Sequence, residues 1–153
     1  MNRSIDSPCN TIFYNMWDAQ QTGTDNIKTA TVKTVYDPSP AGFCVPSSNL
    51  IFYIAETVTW ENFVADYTNQ GRSLTASPNN IFFPASGYRH FWYDENPGYL
   101  AQVGSEGFYW TSSPYSKVNA LCFMFDLNYS YPKKESWHSR RIQGFTIRPV
   151  AEE

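Results

Sequence analysis

The clearest alternation of apolar and polar residues lies at 119–127, which reads Asn-Ala-Leu-Cys-Phe-Met-Phe-Asp-Leu. From Leu121 onward every second residue is Leu or Phe, and this period of two predicts a β-strand with one face in the core. The residues between them are a cysteine, a methionine and Asp126. We expect that second face to be exposed, because a carboxylate is costly to bury without a partner. A strand buried on both faces is the alternative, since Cys and Met are common core residues.

Upstream of this strand the pattern is mixed. Residues 31–36 alternate and are rich in β-branched side chains, and 81–84 form a short apolar run ending at a proline, so both favour strands. The run 50–56 follows a Ser-Ser-Asn cap and fits either a short helix or a strand. In 57–67 the apolar residues have nearly helical spacing. Early helices, late strands and long loops predict an α+β domain with a small antiparallel sheet.

Length, charge and hydropathy limit the possible classes of protein. A chain of 153 residues predicts one domain, 1–153, with a polar, loose segment at 1–12 and an aromatic cluster at 12–18 that packs on the domain. The net charge of −3 makes nucleic acid an unexpected partner. No apolar run is long enough to span a membrane, so we expect no direct membrane insertion. Residues 1–8 lack the apolar core of a signal peptide. An extracellular or cell-surface location would therefore require export within a longer protein, or a place on a phage virion.

The three cysteines, Cys9, Cys44 and Cys122, form neither a disulfide framework nor a zinc-binding pattern, because their number is odd and their spacing wide. We expect buried thiols, and one disulfide bridge remains the alternative.

No residue pattern predicts a catalytic or metal site. Ser112, His90 and Asp94 are residue types of a hydrolase triad, but they are scattered, and no Gly-x-Ser-x-Gly elbow surrounds any serine. The chain has two histidines, His90 and His138, and neither pairs with a Cys, Asp or Glu at ligand spacing on a clear helix or strand. The acidic run at 94–96 fits a solvated turn better than a calcium site. We therefore expect a protein that is not an enzyme and needs no cofactor.

Four short motifs follow one another along the chain. They read Asp-Pro-Ser-Pro-Ala-Gly-Phe-Cys-Val-Pro at 37–46, Phe-Pro-Ala-Ser-Gly-Tyr-Arg at 83–89, Gly-Phe-Tyr-Trp-Thr-Ser at 107–112 and Arg-Ile-Gln-Gly-Phe-Thr-Ile-Arg-Pro-Val at 141–150. Together they resemble the C-type-lectin-like domain at the C-terminus of many Bacteroidetes surface and phage proteins. That group includes the Fibrobacter-type major paralogous domain and the variable proteins of diversity-generating retroelements. The resemblance implies a C-type-lectin-like fold with small antiparallel sheets, about two helices and long irregular loops.

The resemblance also implies a function. Residues 107–150 would form a ligand-display region with closing strands, which presents variable side chains to a protein or carbohydrate ligand on a cell surface. Carried over to this chain, the ligand-binding positions are Phe108, Tyr115, Lys117, Cys122, Met124, Asp126, Tyr129, Tyr131, Lys133, Trp137, His138 and Gln143. The supporting scaffold positions are Gly107, Trp110, Phe123, Phe125, Gly144, Phe145, Ile147 and Pro149.

Part of this set is expected to form one surface. Because the core-facing phenylalanines alternate with outward residues, Met124 and Asp126 should share an exposed face, and the loop after the strand should bring Tyr129, Tyr131 and Trp137 to it. Exposed aromatic rings make good binding anchors. The alternative is that these rings fold back and pack on the domain.

We also make predictions for residues of the scaffold. Trp110 and Phe145 should be largely buried, and the N- and C-terminal segments should lie near each other. Arg89 and Arg148 should hold structure, through backbone, carboxylate or cation–π contacts, instead of binding ligand.

Other roles remain open. Retroelement diversification acts on adenines, mostly in Asn codons, which cannot produce the residues Met124, Lys133, Glu135, Trp137 and Gln143. Either these positions are not targets or this copy is a static paralogue, and we favour the static paralogue. The alternative function is a structural fimbrial or phage tail-tip subunit without a specific ligand. The formylglycine-generating enzymes share the fold, but they need paired reactive cysteines, which the spacing here does not favour.

Overall fold

The computed structural model describes residues 16–20, 31–50, 62–76, 79–91, 98–116, 118–129 and 137–152. Within these ranges ten strands form four small antiparallel sheets. Three strands make the first larger sheet, in the order β2-β3-β4: Phe63–Asp66, Gly71–Ala76 and Asn79–Pro84. Three make the second, in the order β7-β8-β9: Glu106–Pro114, Asn119–Asp126 and Trp137–Arg140.

Two short ribbons complete the strands. In the first, β1 (Phe43–Cys44) pairs with β10 (Val150–Ala151), and in the second, β5 (Tyr88–Arg89) pairs with β6 (Leu100–Ala101). The β1–β10 pair brings Phe43–Cys44 beside Val150–Ala151. The N-terminal segment that was predicted to lie near the C-terminal one falls outside the described residues.

The α+β prediction with about two helices is wrong. The described chain is mostly β-structure, 48% strand and 4% helix, and holds no helix of seven or more residues. In place of the helix predicted at 57–67, the chain forms β2 over Phe63–Asp66, which pairs with β3. Phe63 is buried and Val64 exposed, so the apolar spacing there serves a strand in a hairpin. Positions 48–50 are helical, and the rest of the helix predicted at 50–56 lies outside the described residues.

The predicted strand at 81–84 is confirmed, since β4 covers Asn79–Pro84. The prediction at 31–36 is right only at one point, where Lys33 forms an isolated antiparallel bridge with Asp18. Asp18 is fully buried and accepts backbone hydrogen bonds from Gln20 and Val32, so this carboxylate fixes the crossing of the two segments. Of the aromatic cluster at 12–18 that was predicted to pack on the domain, the structure describes residues 16–18. Trp17 of this cluster packs against the core.

One face of β8 lies in an aromatic core, as the alternation predicted. Phe123 and Phe125 pack there with Phe63, Phe83 and Tyr109. The ring of Phe63 meets that of Phe125 edge-on, with centroids 5.6 Å apart and planes at 89°. Burial of each such ring contributes about 1.5–3 kcal/mol, and a pair geometry of this kind adds about 0.5–1.5 kcal/mol. This cluster joins the two three-stranded sheets.

Gly107 is required where β7 crosses this cluster. A Cβ at that position would lie 2.3 Å from Cε1 of Phe125. The scaffold role predicted for Gly107 therefore has a steric cause, since any side chain would displace the central phenylalanine.

A buried arginine fixes the turn that follows β8. Arg72, on β3, donates from Nη1 to the carbonyl of Phe63 at 2.9 Å and from Nη2 to the carbonyls of Asp126 and Tyr129 at 2.9 and 2.6 Å. Desolvation by burial lowers the pKa of Arg72. Tyr67 adds a hydrogen bond from its hydroxyl to the carbonyl of Leu127 at 2.8 Å. The turn is thus attached to the β2–β3 hairpin through backbone carbonyls.

Arg148 and Arg89 also hold structure, as predicted. Nη1 of Arg148 donates to the carbonyl of Phe82 at 2.7 Å, and its guanidinium lies 4.7 Å from the centre of the Phe83 ring. Arg89 donates from Nη1 to the carbonyl of Gly98 at 2.9 Å.

Candidate functional site

The second face of β8 is buried, contrary to the exposed face that we predicted. Cys122 is 4% and Met124 8% exposed, so both are core residues. The cause is the closing segment 144–147, which runs beside β7: Trp110 N donates to the carbonyl of Thr146 at 2.9 Å, and Thr146 N donates to that of Phe108 at 3.1 Å. Phe145 and Ile147 of this segment pack against Trp110 and Cys122 and cover the face.

Phe108, another predicted ligand-binding residue, is a core residue for the same reason. It is opposite Met124 in the β7–β8 register, and it is 6% exposed. Its ring centroid lies 4.8 Å from that of Tyr88 and 4.9 Å from that of Phe145. Phe108, Cys122 and Met124 therefore cannot contact a ligand in this structure.

Three of the predicted ligand-binding residues are exposed: Tyr115, Tyr129 and His138. The rings of Tyr115 and His138 stack face to face, with centroids 3.8 Å apart and planes at 9°. Tyr129 follows the far end of β8, whereas His138 is opposite Leu121, so the stack lies five residue steps, or roughly 17 Å, from that end of the strand. The exposed residues therefore do not form one surface.

Two more of the predicted residues, Asp126 and Gln143, are half-buried. Asp126 accepts a hydrogen bond from the backbone N–H of Asn128 at 2.7 Å. Lys117, Tyr131 and Lys133 lie outside the described residues, and of Trp137 only the backbone, in β9, is described. The predicted single face of Met124, Asp126, Tyr129, Tyr131 and Trp137 is thus wrong at Met124, and it lies outside the description at Tyr131 and the Trp137 side chain.

Gln143 lies at a pocket of about 280 Å³ that the sequence did not predict. Aromatic and aliphatic side chains form most of its lining: Met16, Trp17, Trp110, Pro114, Ala120, Phe145 and Ile147. The other lining residues are Ser112, Arg141, Gln143 and Gly144. We call this cavity the closing-segment pocket.

The wall of the closing-segment pocket includes two stacked rings. Trp110 and Phe145 have centroids 4.3 Å apart and planes at 26°. Trp110 is buried, while Phe145 and Trp17 are half-buried. One side of the apolar wall is therefore the Trp110–Phe145 stack. The other side is the segment next to Asp18, which contains Trp17.

A register shift in β7 lies beside the pocket. Between the pairs Trp110–Cys122 and Pro114–Ala120, β7 advances by more residues than β8, so the register shifts and β7 bows away from its partner. The bulge is held in place by Thr111, whose hydroxyl donates to the carbonyl of Leu121 at 2.8 Å. Bulges occur often beside functional sites, because they redirect side chains without ending the sheet.

Polar groups of the pocket already form hydrogen bonds within the protein. Oε1 of Gln143 accepts a short hydrogen bond from the Ser139 hydroxyl. Arg141 donates from Nε to the carbonyl of Asn119 at 3.2 Å and from Nη2 to that of Ser116 at 3.3 Å. The hydroxyls of Ser112 and Thr31 lie 2.8 Å apart. None of the described residues that line this pocket is an Asp or a Glu.

The Tyr115–His138 stack and the closing-segment pocket lie on opposite faces of the β7-β8-β9 sheet. Cross-strand partners share a face, and Ser139 is opposite Ala120, a pocket residue, while His138 is opposite Leu121. Successive strand residues point to opposite faces. The structure therefore assigns His138 and Gln143, both predicted to bind ligand, to different surfaces.

Two of the three cysteines are buried thiols, as expected, and Cys9 lies outside the described residues. Burial raises the pKa of Cys122 to about 12. Burial, followed by the charge of Asp37, raises the pKa of Cys44. Neither sulfur is thus a thiolate at neutral pH, and thiolate is the reactive form.

Within the ranges that the structure describes, no three His, Cys, Asp or Glu side chains come together as a metal-binding group. The same ranges contain no helix with the length and hydropathy of a membrane span.

Sequence reasoning missed the part of the pocket that comes from the N-terminal side. Met16 and Trp17 belong to a cluster that was predicted to pack on the domain, but periodicity gives no information on which element it meets. The buried Asp18, within a run of apolar residues, was the available signal, because a carboxylate there implies a fixed local structure.

Fold and site together define a small, β-rich domain with an aromatic-walled pocket. A family model described as "Domain of unknown function (DUF8237)" matches residues 53–150, and the chain belongs to that family. No curated protein matches the chain, and no solved structure matches it. The resemblance to C-type-lectin-like domains stays a prediction. The matched range includes β2 to β9 and the closing segment, whereas Met16 and Trp17 lie before it.

Proposed function

We propose that this domain is a non-catalytic recognition module that binds a protein or carbohydrate ligand at the closing-segment pocket. The observation that carries the proposal is the composition of this pocket, in which Trp17, Trp110 and Phe145 stand beside the amide of Gln143. Binding sites are commonly concave, mostly apolar and aromatic, with a few polar groups that fix the ligand's orientation.

The lining residues lie on fixed elements of the fold, and this favours binding. Trp110 and Ala120 lie on paired strands, and Phe145 belongs to a segment held to β7 by two backbone hydrogen bonds. A wall built on fixed elements needs little reorganisation when a ligand enters, so little affinity is lost to ordering.

The chemistry at the pocket suits recognition better than catalysis. Ser112 has a threonine hydroxyl as its described partner, and a serine nucleophile needs a base. The guanidinium of Arg141 donates to two backbone carbonyls, which is a structural use. The resemblance to display domains supports the same role, although the ligand site proposed here differs from the carried-over positions.

A matched pair of isoleucines provides the test. Ile147 is half-buried and lines the pocket, whereas Ile142 is 52% exposed and lies outside the lining. Wild-type protein, Ile147→Ala and Ile142→Ala would be screened against an array of surface glycans and an array of extracellular proteins. We expect at least one feature that binds wild type and Ile142→Ala and binds Ile147→Ala about tenfold more weakly.

Thermal unfolding of both variants would show that each is folded at the screening temperature. Blank arrays would contradict the proposal and favour a structural subunit without a specific ligand. A feature bound equally by all three proteins would place recognition away from the pocket.

A further inference from the structure

The closing-segment pocket is large enough to hold one aromatic side chain. Its volume of about 280 Å³ lies just below the range of about 300–1,000 Å³ in which drug-sized ligands bind. A group about the size of one ring fits such a space, and the stacked Trp110 and Phe145 offer it an aromatic wall.

The charge of the described lining disfavours a cationic guest. The described lining residues contain no carboxylate to receive a cation, and the charged residue among them is Arg141. Two donors of its guanidinium, Nε and Nη2, are used on the carbonyls of Asn119 and Ser116. A neutral guest brings no further charge into this mostly apolar space.

The polar groups of the pocket suit one hydroxyl and not several. Oε1 of Gln143 is taken by Ser139, and in the part of the chain that the structure describes its amide nitrogen has no protein acceptor. The hydroxyl of Ser112 is shared with Thr31. A sugar ring would bring several hydroxyls into a mostly apolar cavity, and those without a partner would lose their bonds to water.

We propose that the closing-segment pocket receives the side chain of a tyrosine from a protein partner, with the ring against the Trp110–Phe145 wall and the hydroxyl accepting from the amide nitrogen of Gln143. Tyrosine joins a large apolar ring to a single polar group, and it is enriched among the residues that dominate protein interfaces. This inference rests on the proposed function and selects protein over carbohydrate as the ligand.

The test uses small neutral probes on the full chain. N-acetyl-L-tyrosinamide, N-acetyl-L-phenylalaninamide and the methyl pyranosides of glucose, galactose and mannose would be titrated by ligand-observed NMR. We expect the tyrosine probe to bind in the millimolar range and the phenylalanine probe about fivefold more weakly, because it lacks one hydrogen bond. The methyl pyranosides should bind much more weakly than either.

Variants locate the binding. Gln143→Ala should remove the fivefold difference between the two aromatic probes while leaving the phenylalanine probe almost unchanged. Ala120→Leu should fill the pocket and abolish binding of both. The matched control is Val118→Leu, because Val118 is 62% exposed and lies outside the lining. If Ala120→Leu does not fold, Met16→Ala serves instead, because Met16 is 46% exposed and its truncation removes wall area.

The outcomes separate the inference from the proposed function. Pyranoside binding that Ala120→Leu removes would overturn the tyrosine assignment and leave the pocket as a carbohydrate site. If no probe binds while an array feature still depends on Ile147, the inference fails alone. Tyrosine binding that is insensitive to both pocket variants would also overturn it. If neither the probes nor the arrays show binding, both proposals fail.

Discussion

Trp110 of β7 and Phe145 of the closing segment stack with ring centroids 4.3 Å apart and planes at 26°. This contact belongs both to the core and to the pocket. It covers the face of β8 that carries Cys122, and the same rings form part of the wall of the closing-segment pocket. One aromatic pair therefore contributes both to the core and to the proposed binding site.

Phe145→Ala should lower the free energy of unfolding by about 2–4 kcal/mol, because it removes a half-buried ring that contacts Trp110, Phe108 and Tyr88. Urea unfolding followed by fluorescence measures the change. The control is Phe91→Ala, at a position that is 54% exposed, where the change should stay within about 0.5 kcal/mol. Equal effects of the two substitutions would show that Phe145 does not hold the closing segment.

Gly107→Ala should destabilise the domain by about 1–3 kcal/mol, because the new methyl group would meet the Phe125 ring at 2.3 Å. The same substitution in a Phe125→Leu background should cost clearly less, since the colliding ring is gone. A double-mutant cycle in urea gives this coupling. Additive effects would mean that the clash is not the reason for the glycine.

Arg72→Met should cost about 2–4 kcal/mol, because the carbonyls of Phe63, Asp126 and Tyr129 lose their donor while the apolar part of the side chain is kept. Val103→Met, at a position that is 58% exposed, is the control and should change the free energy of unfolding by less than about 0.5 kcal/mol. Hydrogen exchange of the amides at 126–129 should also increase in Arg72→Met. Unchanged exchange there would contradict the role of Arg72 in fixing this turn.

Cys122 should make stability fall at alkaline pH. Its pKa is raised by burial from 9.0 to about 12, so the unfolded chain loses this proton first as the pH rises. The stabilisation is complete below pH 9 and is lost progressively as the pH approaches 12. Cys122→Ala should therefore show a shallower fall in the free energy of unfolding than the wild type across this range. Parallel curves would contradict the buried thiol.

The resemblance assigned Gly107 to the scaffold, and the structure gives that role a steric cause. The sequence itself predicted the strand at 119–127 and its core face well, because both depend on local alternation. It failed where burial is decided by a distant segment. Cys122 and Met124 are both buried, Cys122 beneath residues of the segment 144–147, and no pattern within β8 contains that information. The helix predicted at 57–67 failed similarly, since pairing of Phe63–Asp66 with β3 outweighed a short apolar spacing.

For the proposed site, the resemblance named Gln143, but no sequence pattern indicated the cavity beside it. The pocket combines a shift of register in β7, the closing segment, and Met16 and Trp17 from the other end of the chain. These meet only after folding. The predicted binding surface relied on exposed aromatic residues of one loop, whereas the aromatic rings that line the cavity lie in the core or pack against it.

The most direct test of the account is a chemical-shift map of the wild-type protein with N-acetyl-L-tyrosinamide. Five tryptophan indole N–H signals are expected from the sequence. The account predicts that the signals of Trp17 and Trp110 shift on titration, together with the backbone amides of 143–147, and that the backbone amides of Tyr115 and His138 on the opposite face do not. Shifts centred on Tyr115 and His138, or no shifts at any residue, would contradict it.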